Sequence, residues 1–390
     1  MQQSITEEEV RAAIPKPYEP RDYQIRIIKK VYESFASGLE SVMIESPTGS
    51  GKTALSLMSL KLIKKELPNI KFGWVAMRRN LLKQAAEENK RIGVTDIEFI
   101  SMFDSNPPKC DLMIMDECQH SAAKTCVELY TKTGSSKYLG MSATPMRTDR
   151  VKLAFQRTIR DCGVRFLIEK GYLAPFNLYA LPRWDVDEVV SKFLLDPEHW
   201  GKSVIYMKDR EQCYELQERL GKGGVKSEVM LGSHSMTVRE GMFDRFDSGE
   251  SQALINVNLL IEGFDAPDMK TVWVRDSSKL PTIQMSGRVL RKDPNNPDKV
   301  AHIVQSDETS FPYTKVAKAR KEFIWKNGWK SLESNDQIDR IIENVRKRVL
   351  VKDKKMPSYF GKTPTSVRVD RHGSLRYNDS NRSNPLEIDF

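Results

Sequence analysis

Long apolar runs, paired cysteines and internal repeats are missing from this chain of 390 residues. No apolar run approaches the roughly 20 residues that a membrane-spanning helix needs, so we expect no membrane partner. The five cysteines are scattered without a CxxC pair, which argues against a disulfide framework and a zinc site. The opening residues, MQQSITEEEV, have neither the basic start nor the apolar block of a secretion signal, and we therefore expect a cytoplasmic protein.

Positive charge is what the chain has in excess, and its placement is uneven. The net charge is +9, with 29% of residues charged and 39% hydrophobic, a composition that predicts two or three globular lobes. From residue 313 to the end, 18 Lys and Arg face 10 Asp and Glu, an excess of +8 that leaves about +1 for residues 1–312. A basic segment of this kind favours a polyanionic partner.

Short apolar runs rich in β-branched residues alternate with helical patterns in two series. This alternation predicts an α/β fold with two parallel sheets, each covered by helices on both faces. The first series is SVMIES (41–46), FGWVAM (72–77), IEFI (97–100), DLMIMDE (111–117) and KYLGMSA (137–143). The second series is SVIYM (203–207), SEVML (227–231), ALINVN (253–258), TVWVRD (271–276) and AHIVQS (301–306).

Two regions break this rhythm. Residues 171–184 contain Gly and Pro and are interpreted as the hinge between the lobes. Residues 319–329 and 335–351 resemble helices, and Trp325 and Trp329, four apart, would anchor the first of them to the second lobe. The polar remainder is predicted to be poorly ordered. The predicted parts are an N-terminal lobe over 1–175, a second lobe over 176–306 and a basic, largely helical extension over 307–390.

The segment SPTGSGKT (46–53) follows an apolar run and opens a helical pattern. Its glycines let backbone N–H groups surround phosphate oxygens, while Lys52 would reach the β- and γ-phosphates and the Thr53 hydroxyl would bind Mg²⁺. A glycine usually stands where Ser46 is, but the rest of the pattern fits a phosphate-binding loop. The predicted nucleotide contacts in this loop are Pro47, Thr48, Gly49, Ser50, Gly51, Lys52 and Thr53.

Asp116 and Glu117 stand at the end of an apolar run, where carboxylates are costly unless a metal or a reaction uses them. Beside a phosphate-binding loop, Asp116 would hold Mg²⁺ through its water shell, and Glu117 would polarise the attacking water. The alternative, an acidic helix start, becomes weak once that loop is present upstream. ATP and Mg²⁺ are therefore the predicted cofactors.

Taken together and in this order, the motifs resemble those of superfamily 2 helicases, over roughly residues 18–306. PRDYQ (20–24) resembles the segment that reads adenine, which implies nucleotide contacts for Arg21 and Gln24. GMSATPMR (140–147) resembles the motif that couples hydrolysis to strand contacts, through Ser142 and Thr144. The second motif has Gln119 where His is common, with His120 next, so either side chain could link to Ser142.

Two further motifs imply that the second lobe contributes residues to the nucleotide site. INVNLLIEGFDAPD (255–268) resembles the fifth motif, and QMSGRVLR (284–291) matches the pattern QxxGRxxR of the sixth. Arg288 and Arg291, three apart on a predicted helix, would share a face and act as arginine fingers on the γ-phosphate. The nucleotide-contacting and catalytic residues implied by these motifs are Gly263, Asp265, Gln284, Arg288 and Arg291.

A motor that is indifferent to sequence holds phosphates through cations, hydroxyls and backbone amides. VAMRRNLLKQ (75–84) and FISMF (99–103) resemble strand-contacting motifs of the first lobe. The predicted nucleic-acid contacts are Arg78, Gln84 and Ser101 in the first lobe and Lys208 and Ser233 in the second.

The motif sequences EGFDAP and QxxGRVLR resemble those of DNA-directed members, namely phage UvsW-type helicases, the XPB group and type III restriction motor subunits. The resemblance implies a monomeric ATP-dependent helicase or translocase that moves on or remodels single-stranded or branched duplex DNA in recombination or repair, in the host-cell cytoplasm if phage-encoded. Two alternatives stay open. One is an ATP-dependent RNA helicase, and the other is a motor subunit whose protein partner supplies nuclease or modification chemistry.

Overall fold

The computed structural model describes residues 1–332 except 3, 17, 121–123, 144–152, 154 and 258–265, together with 367–369 and 375–377. The chain divides into two compact units, Met1–Ser331 and Leu332–Phe390. The larger unit contains two parallel-dominated sheets, and these are the two lobes that the sequence predicts. Among the described residues, no helix is both long enough and apolar enough to cross a membrane.

Within the residues that the structure describes, the first sheet has six strands, all paired in parallel. They are β1 (Ser41–Glu45), β2 (Phe72–Ala76), β3 (Ile97–Ser101), β4 (Leu112–Met115), β5 (Lys137–Ser142) and β6 (Arg157–Arg160). Their order across the sheet is β3-β2-β4-β5-β1-β6. Apolar runs predict the first five. The sixth has the sequence RTIR with only Ile159 buried, so no apolar run marks it.

In the described part of this lobe, six helices accompany the sheet, and both of its faces are buried. The helices are α1 (Glu7–Ala13), α2 (Asp22–Ala36), α3 (Lys52–Glu66), α4 (Arg79–Ile92), α5 (Lys124–Thr133) and α6 (Val164–Glu169). Val42 and Ile44 of β1 belong to a core shared with α2 and α3. Met43, between them, points to the opposite face and packs in a cluster with Leu129 of α5. Burial on both faces explains the continuous apolar strands.

Counted over the described residues, the second sheet has eight strands, and only its last two pair in antiparallel fashion. The strands are β7 (Phe176–Leu181), β8 (Ser203–Tyr206), β9 (Ser227–Val229), β10 (Ala253–Asn256), β11 (Thr271–Val274), β12 (Ala301–Ser306), β13 (Lys321–Trp325) and β14 (Trp329–Ser331). Their order is β14-β13-β7-β12-β11-β8-β10-β9. The helices of this lobe are α7 (Val186–Leu195), α8 (Pro197–Trp200), α9 (Arg210–Lys222), α10 (Met236–Asp247) and α11 (Lys279–Gly287).

Residues 171–184, interpreted from the sequence as a hinge, contain strand β7. This strand lies inside the second sheet, between β12 and β13, and its run FNLYAL is apolar because it is almost wholly buried. The Gly and Pro that suggest a hinge belong to the short connection before the strand and to the turn after it. The segment between the lobes is therefore shorter than predicted.

The helix predicted at 319–329 is wrong, because these residues form the hairpin β13–β14. Asn327 and Gly328 adopt φ values of +54° and +138°, and Asn-Gly between aromatic residues is a strong hairpin signal that the helical interpretation overlooks. Trp325 and Trp329 face each other across the hairpin, with ring centroids 5.4 Å apart. The second sheet thus extends to Ser331, beyond the predicted limit at residue 306.

In the unit Leu332–Phe390 the described residues form a small antiparallel pair, β15 (Val367–Val369) and β16 (Leu375–Tyr377). The polar surrounding sequence predicts poor order here and gives no sign of these two strands. The helix predicted over 335–351 lies outside the described residues.

Candidate active site

The predicted phosphate-binding loop connects β1 to α3 at the carboxyl edge of the first sheet. Strand β1 ends at Glu45 and α3 begins at Lys52, so Lys52 and Thr53 occupy the first turn of a 15-residue helix. Gly49 and Gly51 have φ values of +79° and +81°, in the left-handed region that favours glycine. The first-turn N–H groups of a helix lack partners within the helix and attract anions, so the loop ends in an anion-binding position.

Two features of this loop fit a bound phosphate group. Ser50 is fully buried, and its hydroxyl has no hydrogen-bond partner among the described residues. A buried hydroxyl without a partner is unfavourable, and a ligand oxygen would satisfy it. The space is also narrow, because a Cβ placed on Gly51 would lie 2.9 Å from Gln24 Nε2.

The predicted adenine-reading segment is tied to this loop by hydrogen bonds. Gln24 accepts the Arg21 N–H at 2.9 Å and donates through Nε2 to the Ser50 carbonyl at 3.2 Å. Tyr23, which sequence reasoning missed although it stands beside Gln24, donates its hydroxyl to the same carbonyl at 2.6 Å. The Arg21 guanidinium lies 4.3 Å from the ring centroid of Tyr172, in the connection between the lobes.

Asp116 and Glu117 follow β4, also at the carboxyl edge. Glu117 has a φ of +51°, unusual for a non-glycine residue and costing roughly 1–3 kcal/mol, and its N–H donates to Asp116 Oδ1 at 3.0 Å. The adjacent thiol of Cys118 is fully buried. Burial raises the pKa of Cys118, as do the charges of Glu117 and Asp116, whereas Lys52 lowers it. Lys52 and both carboxylates therefore lie in the vicinity of the Cys118 thiol.

A chain of hydrogen bonds connects Glu117 to the end of β5. Ser142 Oγ donates to Gln119 Oε1 at 2.7 Å, and Gln119 Nε2 donates to Glu117 Oε2 at 3.0 Å. The Ser142 carbonyl in turn accepts the Ser46 N–H at 3.0 Å, which links β5 to the phosphate-binding loop. Of the two alternatives, Gln119 is the residue that the structure joins to Ser142. Thr144 and the side chain of His120 lie outside the described residues.

The sixth motif differs from the prediction in its backbone. Helix α11 ends at Gly287, so Arg288 and Arg291 lie in the turn that follows and do not share a helical face. Glycine is a poor helix former, and Val289 and Leu290 turn into the core instead of continuing the helix. Gln284 remains on α11, half-buried. Gly263 and Asp265 of the fifth motif lie outside the described residues.

The two arginines have different surroundings. A Cβ placed on Gly49 would lie 3.7 Å from Arg291 Cγ, so the Arg291 side chain lies beside the phosphate-binding loop of the other lobe. Gly287 approaches the same loop, since its Cβ would lie 3.5 Å from Thr48 Cβ. Arg288, by contrast, is only 7% exposed. It lies near buried Tyr206, where burial raises the tyrosine pKa and the guanidinium lowers it.

Lys299 is a residue that the sequence does not single out. It is 4% exposed, and its ammonium donates to the Pro267 carbonyl at 2.6 Å and to the Arg291 carbonyl at 2.9 Å. It thereby joins the end of the fifth motif to the sixth. Its place in the polar run NNPDK carries no local signal of this role.

Comparisons with known proteins agree with these motifs. The family described as type III restriction enzyme, res subunit, matches residues 17–105, and the helicase conserved C-terminal domain family matches residues 185–293. The chain belongs to the superfamily 2 helicases.

Two curated relatives illustrate the likeness. The helicase chain is 26% identical over 283 residues to a 51.5 kDa protein of a Lactococcus phage, covering 64% of this chain and 62% of that one. It is 24% identical over 356 residues to a protein of a Sulfolobus islandicus filamentous virus named "Putative helicase 22", covering 72% and 63%. The chain thus spans less than two thirds of the length of either relative.

Solved structures share the fold. An HsdR-like fragment of a type I restriction enzyme from Vibrio vulnificus has a TM-score of 0.60 at 19% identity, covering 85% of this chain and 73% of that one. The restriction-modification enzyme LlaBIII bound to DNA has a TM-score of 0.55 at 14% identity, covering 85% and 30%. S. cerevisiae Dbp5 bound to RNA and ADP BeF3 has a TM-score of 0.58 at 16% identity, covering 88% and 97%. The predicted architecture of two RecA-like α/β lobes is confirmed.

The predicted nucleic-acid contacts of this helicase lie mostly at the carboxyl ends of strands. Arg78 immediately precedes α4 and lies two residues after Ala76, which pairs in register with Ser101 at the end of β3. Lys208 follows β8 and Ser233 follows β9, both exposed, in the second lobe. Gln84 is exposed within α4, farther along the helix.

Proposed function

We propose that this chain is an ATP-driven motor that moves on or remodels single-stranded or branched DNA, as a monomer acting in the cytoplasm. The observation that carries the proposal is the contact between lobes, where Arg291 of the sixth motif lies beside Gly49 of the phosphate-binding loop. A guanidinium supplied from the second lobe stabilises phosphoryl transfer only when the lobes are together. Hydrolysis and lobe closure are thereby linked.

Each catalytic side chain then has a distinct task. The N–H groups of the loop and Lys52 bind the phosphates, and Ser50 satisfies its buried hydroxyl there. Mg²⁺ would be held by Thr53 and Asp116, and it would supply positive charge against the phosphate oxygens. Glu117, with one carboxylate oxygen engaged by Gln119, orients the attacking water and takes its proton on the other oxygen, Oε1.

The coupling of hydrolysis to movement would pass through the chain Ser142–Gln119–Glu117. Strand β5 carries Ser142 and also contacts the phosphate-binding loop, so a shift of β5 changes the position of the catalytic carboxylate. ATP-driven closure on one strand, hydrolysis and reopening would then produce a step along the track.

Support for DNA as the track comes from the wording of the fifth and sixth motifs and from the match of the first lobe to the restriction-enzyme family. The fold neighbour LlaBIII is bound to DNA, but the neighbour Dbp5 is bound to RNA, which keeps an RNA helicase as the second candidate. A partner that supplies nuclease or modification chemistry is the third, since the matched family describes a restriction-enzyme subunit.

The decisive experiment measures ATP hydrolysis with single-stranded DNA, duplex DNA, forked DNA and single-stranded RNA. We expect the largest stimulation with forked or single-stranded DNA and little with RNA. The Glu117→Gln variant is the control for contaminating ATPases. Stimulation by RNA alone would replace the DNA proposal with the RNA candidate, and co-purification of a nuclease would favour the third.

A further inference from the structure

A large aromatic side chain stands in solvent directly after β3. Phe103 is 66% exposed, more than any other large apolar side chain in the described part of the chain. Its backbone is nevertheless held in place, because its N–H donates to Ser101 Oγ at 3.3 Å and the preceding Met102, 6% exposed, donates its N–H to the Ala76 carbonyl at 3.1 Å. An aromatic ring that is exposed on a backbone held by hydrogen bonds can present its flat face to a ligand without rearrangement of the loop.

The position of Phe103 relates it to the predicted strand contacts of the first lobe. Ser101 pairs with Ala76, and Arg78, two residues farther on, immediately precedes α4. Paired strands lie about 4.8 Å apart. A phosphate drawn to the first turn of α4 would therefore hold its nucleotide next to the loop that carries Phe103.

The residues around Phe103 indicate which kind of ligand its ring could contact. Asp104, Ser105 and Asn106 follow it, and all three are exposed and polar. The negative charge of Asp104 disfavours a phosphate at this point. A single ring among polar residues is also far smaller than the apolar patch that a protein interface requires. The flat, uncharged face of one nucleic-acid base matches both properties.

We propose that Phe103 is a stacking platform for one base of the single strand that the first lobe holds through its phosphates. The proposal rests on the function as a nucleic-acid motor. Stacking on a single ring is independent of sequence, because every base has an aromatic face. Phe103 would thus add grip on the track without adding preference for any base.

The test compares two oligonucleotides of equal length, oligo-dT and a fully abasic strand that keeps the phosphates but has no bases. Wild-type protein should bind oligo-dT more tightly, and Phe103→Ala should weaken that binding about tenfold while leaving binding to the abasic strand unchanged. The salt dependence of binding should keep its slope, because the protein still neutralises the same number of phosphates. Phe103→Trp should restore the affinity.

Leu195→Ala is the matched control. Leu195 is similarly exposed, at 61%, but it is the last residue of helix α7 and does not lie in a loop that directly follows a strand. Equal affinity of wild type and Phe103→Ala for oligo-dT overturns the stacking proposal while leaving the motor intact. An equal reduction of affinity for both strands, with a flatter salt slope, assigns Phe103 to backbone binding and also overturns it. If wild-type protein binds neither oligo-dT nor oligo-rU, the motor function itself fails, and the stacking proposal fails with it.

Discussion

The two lobes hold their proposed catalytic side chains in different ways. In the first lobe Lys52 stands in the first turn of α3 and Glu117 lies two residues after the end of β4, so regular structure sets both positions. In the second lobe Arg291 lies beyond the end of α11, and its carbonyl is held by the ammonium of Lys299 at 2.9 Å. In the first lobe a strand and a helix build the site. In the second lobe a loop builds it, and contacts with residues elsewhere in the chain hold that loop in position.

This difference predicts two kinds of mutational effect, one on the chemical step and one on the position of a side chain. Substitutions in the first lobe should alter binding or the chemical step while the surrounding backbone stays in place. Substitutions in the second lobe can remove a charge, as at Arg291, or only the hydrogen bonds that position it, as at Lys299. The expected effects on hydrolysis range from about 10³-fold at Arg291 to almost none in the basic C-terminal segment.

Arg291→Ala should reduce kcat by at least about 10³-fold, because its guanidinium lies beside the phosphate-binding loop. Affinity for ATP should change by less than about tenfold, and the melting temperature should stay the same. Arg288→Ala should lower both kcat and the melting temperature, since that side chain is only 7% exposed. Single-turnover hydrolysis and thermal melting separate the two variants. Normal hydrolysis by Arg291→Ala would exclude it as an arginine finger.

Glu117→Gln should lower kcat by about 10³-fold and keep ATP binding, because the amide preserves the shape of the side chain but cannot take a proton. Lys52→Ala provides the contrast within the same lobe, with loss of nucleotide binding or turnover. Binding is measured with a fluorescent ATP analogue and turnover by phosphate release. Turnover at the wild-type rate in Glu117→Gln contradicts the assignment of the base.

Lys299→Met should lower kcat about tenfold with little change in KM, since it removes two hydrogen bonds that position the Arg291 loop while the nucleotide contacts of the first lobe remain. Lys299→Arg keeps a cation with donors and should restore most of the activity. A double variant with Arg291→Ala tests whether Lys299 acts through Arg291. If the two reductions in kcat multiply independently, Lys299 is only a structural residue.

Ending the chain before Lys352 should have the smallest effect on hydrolysis, because the motifs precede residue 292. The cut removes Lys352, Lys354, Lys355, Lys362, Arg368, Arg371, Arg376 and Arg382. Basal ATP hydrolysis should be nearly unchanged, while affinity for forked DNA falls and its salt slope flattens by about 0.9 for each phosphate that the shortened protein no longer neutralises. Unchanged affinity and slope would mean that these cations are simply solvated.

Local sequence is sufficient to predict a structural feature when a single strand or the start of a single helix defines that feature. Each of the ten apolar runs corresponds to a strand, β1 to β5 and β8 to β12. Burial on both faces leaves a continuous apolar signature in eight of them, whereas the edge strands β3 and β9 are only partly buried. The phosphate-binding loop is equally visible, since glycines with positive φ followed by a helix start are a local requirement. Strand β7 is missed because neighbouring Gly and Pro outweigh its apolar run, and the hairpin β13–β14 because its aromatic spacing also fits a helix.

The sequence by itself thus determined the two α/β lobes, the residues of the phosphate-binding loop and the pair Asp116 and Glu117. Only the tertiary structure decided that Gln119 joins Ser142, that Arg291 lies beside Gly49 and that Lys299 holds the Arg291 carbonyl. The physical reason is that hydrogen bonds and side-chain contacts depend on separations of a few ångströms. Such separations between residues far apart in the chain exist only after the sheets have formed and packed.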